Sequence, residues 1–161
     1  MSLRPDPDSL GFLIIDVSRM LRGAFERRIA RAGLGLTPGE ARALVHVAAL
    51  EGSRQLDIAH RMGIEPMTLS AYLDRLQSLG FIERRADPAD GRARQIFTTE
   101  TANGLIAEIR VEQLDLMGQV TAGLAEDDKS AMREQLRRMR ENLRAIEEDQ
   151  TALSAAKEAA R

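Results

Sequence analysis

The stretch from Gln55 to Thr98 sets two short helical segments around a glycine and follows them at once with an alternating hairpin pattern, an order that few folds accommodate. Leu56, Ile58, Ala59 and Met62 mark the first segment. The second starts at Glu65-Pro66, with Leu69, Tyr72, Leu73 and Leu76 at helical spacing. Gly63 supplies the turn between them and small Ala59 lets two helices approach closely, so the pattern predicts a helix-turn-helix. Gly80 closes the second helix. Phe81 to Arg85 then reads as a strand, Ala86 to Gly91 as a turn and Arg92 to Thr98 as a return strand. A hairpin directly after a helix-turn-helix is a wing.

Amphipathic helices flank this unit. After Arg4-Pro5-Asp6-Pro7, Asp8 or Ser9 can cap a helix with apolar residues from Leu10 to Ile29 at steps of three and four, ended by Gly33 and Gly35. Thr37-Pro38-Gly39-Glu40 has the form of a capping box, which predicts a second helix starting near Pro38 and stopping at Gly52. Beyond the wing, Thr99 or Thr101 can cap a helix reaching Leu124. Asp127-Asp128 favours the start of another, since carboxylates suit the positive end of a helix dipole. Met132, Leu136, Met139, Leu143 and Ile146 on that last helix follow the spacing of a coiled-coil seam. The Ala-rich end from Gln150 is expected to fray.

The expected fold is therefore mostly α with a small β-hairpin wing. Residues 36–100 form a winged helix-turn-helix lobe, and residues 1–35 and 101–161 a helical dimerisation region. Both terminal stripes are difficult to bury on so small a lobe within one chain, so a homodimer is expected. A two-fold dimer also places two recognition helices one DNA turn apart, about 34–36 Å, which suits a pseudo-palindromic operator.

Composition narrows the function. The formal charge is −2, so no global basic field marks a nucleic-acid binder. Residues 54–95, however, hold seven Arg against six acids, a local balance of the right sign. With no cysteine there is no disulfide, thiolate metal site or thiol switch. Five aromatic residues supply little stacking surface for single strands. No stretch approaches the roughly 18 apolar residues of a membrane span, and the N-terminal segment lacks an apolar leader core, so a cytoplasmic protein is expected. His46 and His60 are the only histidines, and no catalytic or phosphate-binding motif is present, so neither an enzyme, a metal site nor a cofactor is expected.

Residues Leu36-Thr37-Pro38, Arg61 to Ser70, Leu73-Asp74-Arg75-Leu76 and Gly80 to Arg84 together resemble the MarR family of bacterial transcription regulators. Asp87-Pro88-Ala89-Asp90-Gly91-Arg92 resembles the family's D-x-R wing signature, followed by Phe97-Thr98 where Leu-Thr is usual. The resemblance spans about residues 10 to 147. It implies a triangular homodimer whose first and last helices interleave above two winged lobes. It also implies a repressor that leaves DNA when a small aromatic or phenolic anion binds between lobe and dimer region.

If the helix from Pro66 to Leu79 enters the major groove, Pro66, Met67, Thr68, Ser70, Ala71 and Arg75 meet base edges or phosphates, while Leu69, Leu73 and Leu76 face the core. Ala71 departs from the family, many of whose members carry Arg there. Arg75 can contact phosphate or join a structural ion pair. Arg92 at the wing tip can enter the minor groove, with Arg94 beside it, and Asp90 supports the wing turn. For the ligand, the resemblance points to His46, with Arg19, Met20, Arg22 and Ala43. The plainer alternatives are a partly exposed helix histidine and core packing for Met20 and Ala43. The rival to a DNA-binding regulator is a winged helix used as a protein-interaction module, or an anti-repressor without specific DNA binding.

Overall fold

The computed structural model of the chain describes residues 4–159. Residues 1–3 and 160–161, which end the N-terminal segment and the Ala-rich tail, lie outside the described residues. The chain divides into two compact units, Met1–Met117 and Gly118–Arg161. The elements in order are α1 (Leu10–Ala32), α2 (Pro38–Ala49), β1 (Ser53–Arg54), α3 (Gln55–Met62), α4 (Pro66–Ser78), β2 (Ile82–Ala86) and β3 (Arg94–Thr98). A 3-10 turn at Glu100–Ala102 leads into α5 (Asn103–Val120), and α6 runs over Glu126–Ala159.

Local chemistry accounts for most boundaries. At α2 the Thr37 hydroxyl accepts the Glu40 N–H at 3.2 Å, and the Glu40 carboxylate accepts the Thr37 N–H at 2.8 Å, which completes the expected capping box. Gly63 adopts φ 63°, and its N–H and that of Ile64 bond back to the carbonyls of His60 and Ala59. Such a left-handed stop suits glycine and turns α3 into α4. Two expected caps are not made. Ser9 holds the N-cap position of α1 but its hydroxyl accepts no backbone N–H, and the Thr99 hydroxyl donates instead to the Gly80 carbonyl at 2.5 Å. Thr99 thus ties the end of β3 to the end of α4, and α5 begins only at Asn103 and stops at Val120, short of the expected Leu124. At the C-terminal end α6 stays helical to Ala159, as the high helix propensity of alanine allows.

The wing is one edge of a three-stranded sheet, not an isolated hairpin. Strand order is β1-β3-β2, all antiparallel, with Ser53 opposite Ile96 and Ile82 opposite Thr98. The core of this unit gathers Ile29 from α1, Leu44 and Val47 from α2, Ile58 from α3, Leu69, Leu73 and Leu76 from α4, Ile96 from β3 and Ile109 from α5. By contrast the start of α1 leaves Leu10 67% exposed, with Phe12, Leu13, Ile15 and Val17 also exposed. On α6, Met132, Leu136, Leu143 and Ile146 are likewise exposed. No described helix is long and apolar enough to cross a membrane.

Close approach of α2 to α4 depends on Gly39. A Cβ there would lie 2.5 Å from both Cζ and the hydroxyl of Tyr72. Gly39→Ala is therefore expected to lower folding stability by about 1–3 kcal/mol through overpacking. Urea unfolding followed by circular dichroism measures this, and an unchanged midpoint would mean that Tyr72 swings aside freely.

Candidate nucleic-acid interface and ligand crevice

One face of α4 is fixed by the core and the other is thereby presented to solvent. Pro66 occupies the first turn, where its missing N–H costs no helical bond. Gln55 donates to the Pro66 carbonyl at 3.4 Å, joining the starts of α3 and α4. Because Leu69, Leu73 and Leu76 are fully buried, the 3.6-residue repeat turns Pro66, Met67, Thr68, Ala71 and Arg75 outward. Met67 is 85% exposed, and Ser70 is half-buried. Of the neighbouring charges, Asp74 is held by Arg84 at 2.7 Å, and Arg84 also bonds Gln77. Arg75 joins no ion pair among the described residues.

The turn between β2 and β3 is built on two carboxylates. Asp87, only 6% exposed, accepts the Ala89 N–H at 2.8 Å and the Arg54 Nε at 2.7 Å. Asp90 accepts the Arg92 N–H at 3.1 Å, its carbonyl accepts from Ala93, and its carboxylate lies 3.9 Å from Arg54 Nη1. Asp90 thus shapes the turn through backbone bonds and forms no ion pair with the Arg92 side chain. Arg92 and Arg94 are exposed and pair with no carboxylate among the described residues. Behind them Arg85 lies 4.3 Å over the Phe97 ring and bonds Glu83.

The Arg54–Asp87 pair is a support that the sequence did not reveal. Asp-Pro-Ala carries a local signal, since an Asp side chain commonly bonds the N–H two residues on. Arg54 is 33 positions away in sequence and carries none. Hydrogen bonding from the Ala89 N–H, and then from the Arg54 guanidinium, holds the Asp87 carboxyl below its ordinary range. A depressed carboxyl contributes stability that is present above its unfolded value and lost as pH falls through its folded value. Arg54→Ala is thus expected to lower the melting temperature at neutral pH, with the deficit shrinking as the solution is acidified below the carboxylate range. Equal deficits at both pH values in thermal scans would contradict this role.

A separate crevice of about 560 Å³ opens between α1, α2 and α5. Leu21, Phe25, Val45, Leu114, Leu116 and Met117 give it apolar walls, and its charged or titratable groups are Arg22, Arg42, Arg110 and His46, with no carboxylate in the lining. Arg42 is braced by Glu26 at 3.5 Å and by the Met62 carbonyl at 3.3 Å. Burial first, and then the charges of Arg42 and Arg61, push the His46 imidazole below its ordinary value. Of the five residues that the sequence nominated, Arg22 and His46 line this crevice. Arg19 lies in a smaller groove of about 350 Å³ along α1 and pairs with Asp16 at 3.2 Å. Met20 is 62% exposed away from the crevice. Ala43 is fully buried with Val47, one turn on, so it occupies the core face of α2, whereas Arg42 and His46 share the crevice face. Arg42 and Arg110 escaped notice because nothing in their sequence surroundings tells which face of α2 or α5 borders a cavity.

The α3–α4 pair joined at Gly63, followed by the β2–β3 hairpin within a three-stranded sheet, defines a winged helix-turn-helix. The chain belongs to the MarR family. The family's profile matches residues 34–93. The solved transcriptional regulator PA3341 is 31% identical, with a TM-score of 0.71, covering 83% of this chain and 97% of that one. CouR from Rhodococcus jostii RHA1, solved bound to p-coumaroyl-CoA, is 28% identical with a TM-score of 0.67 and covers 82% of this chain and 92% of its own. A MarR-family regulator from Rhodococcus sp. RHA1 is 26% identical with a TM-score of 0.71, over 84% of this chain and 95% of its own.

Proposed function

We propose that the protein is a cytoplasmic homodimeric repressor that binds a pseudo-palindromic double-stranded operator and leaves it when a small aromatic or phenolic anion occupies the crevice. The observation that carries this is the set of unengaged groups on the winged lobe. Arg75 on α4 and Arg92 and Arg94 at the wing are exposed and pair with no described carboxylate, beside a first turn of α4 that is exposed to solvent. In this account Pro66, Met67, Thr68, Ser70 and Ala71 meet the major groove, where Met67 or Thr68 can touch a thymine methyl and the hydroxyls of Thr68 and Ser70 reach phosphate or base. Arg75 neutralises phosphate, Arg92 enters the minor groove with Arg94 beside it, and Asp90 holds the turn. Ala71 gives up the charged contact that many relatives make.

Residues 36–100 form the DNA-binding lobe, and residues 1–35 and 101–161 form the dimer region. The apolar side chains left exposed on α1 and on α6 support that assignment, because a second copy would remove them from water. The p-coumaroyl-CoA bound to CouR, whose CoA part carries phosphates, and the carboxylate-free crevice here support an anionic effector with an aromatic body. Hydroxyl-radical footprinting of the duplex upstream of the protein's own gene tests the proposal. The expected result is two protected half-sites about 34–36 Å apart along the helix axis. A single protected patch, or none, would count against a dimeric repressor at that site.

A further inference from the structure

The crevice holds three guanidiniums and an imidazole against no carboxylate, and the one titratable group among them that changes charge near neutrality is His46. Arg42 lies one turn earlier on the same helix, Arg61 acts from α3, Arg22 lines the crevice from α1 and Arg110 from α5. Glu26 of α1, which lies outside the lining, has its carboxylate engaged with Arg42 at 3.5 Å. The imidazole makes no hydrogen bond or ion pair with another described residue, so its ring nitrogens are open to an incoming ligand.

Resting on the effector role proposed for this crevice, we infer that it selects an anion with an apolar body and more than one negative charge, and that His46 takes up a proton as that anion binds. A single carboxylate leaves most of the guanidinium charge unmatched, whereas a dianion can face Arg22, Arg42 and Arg110 together. The proton follows from electrostatics. Without a ligand, burial and then the charges of Arg42 and Arg61 hold the imidazole below its ordinary value and so favour its neutral form. A bound anion reverses the local field and gives the N–H groups of the imidazolium an acceptor, so the charged form is favoured in the complex. By linkage, affinity rises as pH falls between the imidazole's value in the complex and its lower value in the empty protein, by up to about tenfold per pH unit. The effector thus releases the operator more readily as the surroundings acidify.

Naphthalene disulfonate, naphthalene sulfonate and neutral naphthalene methanol probe this, because none of them changes charge across the range. Isothermal titration calorimetry on the full chain, near pH 6 and near pH 8 and in buffers of different ionisation enthalpy, reads affinity and protons together. The expected result is binding in the order disulfonate, sulfonate, alcohol, at least about threefold tighter at the lower pH, with net proton uptake. His46→Gln is expected to abolish both the uptake and the pH dependence, with affinity at the lower pH falling to about the level the native protein shows at the higher pH. In the native protein, only two histidines contribute ring resonances to a proton NMR titration, and the His46 signal is expected to titrate at higher pH when the disulfonate is present. Equal binding of the alcohol, or charge-selective binding with no proton uptake and no movement of His46, would overturn the inference and leave the crevice as an effector site. If none of the three probes binds, the effector role fails, and the inference fails with it.

Discussion

Arg92→Ala is expected to weaken operator binding by about 1–3 kcal/mol, roughly 5- to 150-fold in affinity, with no change in melting temperature. The two halves of this expectation come from the same observation. The side chain is exposed and pairs with no described carboxylate, so removing it disturbs nothing in the folded lobe, while the turn beneath it is held by the Asp90 carboxylate through the Arg92 backbone N–H. The guanidinium is therefore free for the minor groove, where a narrow A·T segment concentrates negative potential. Fluorescence anisotropy with the variant measures the first half and thermal unfolding the second. Unchanged affinity would place the wing off the DNA. A lowered melting temperature would instead give Arg92 a structural role.

Leu73→Ala is the larger perturbation, expected to cost about 2–5 kcal/mol of folding stability. Leu73 is 0% exposed and sits between Leu69 and Leu76 on the buried face of α4, so its removal leaves a cavity beneath this helix. Folded protein of this variant is also expected to bind DNA more weakly, because that packing sets the face of α4 that turns outward. Urea unfolding gives the stability change. A shift below about 1 kcal/mol would mean that the neighbouring leucines close over the gap, and that α4 tolerates movement its proposed role does not allow.

What the sequence made legible was local. The capping box at Thr37, the proline start of α4, the glycine stops at Gly33 and Gly63 and the leucine face of α4 each depend on residues within one or two turns of each other, so their signals survive in a linear reading. What escaped depends on partners distant in the chain. Strand β1 is two residues long and exists because Ser53 meets Ile96, and nothing within Ser53–Arg54 marks it. Arg54 supports the wing through Asp87 for the same reason. The crevice shows a third form of this limit. Helical periodicity places Ala43 and Val47 on one face of α2 and Arg42 and His46 on another, but which face borders a cavity is decided by how α1 and α5 lie against α2. The outward side chains of α4 were predictable from its buried leucines. That Asp74 is paired by Arg84 of β2 was not, since it depends on how that strand lies against α4.

Sequence-specific DNA binding is the central claim, and anisotropy of the native protein tests it most directly. Duplex from immediately upstream of its own gene is compared with a scrambled duplex of equal length at low and at moderate salt. Selective binding to the upstream duplex that weakens steeply with salt is expected, because each neutralised phosphate releases condensed counterions. Weak binding to both duplexes that is indifferent to salt would contradict it, and would turn the winged lobe toward protein contacts instead.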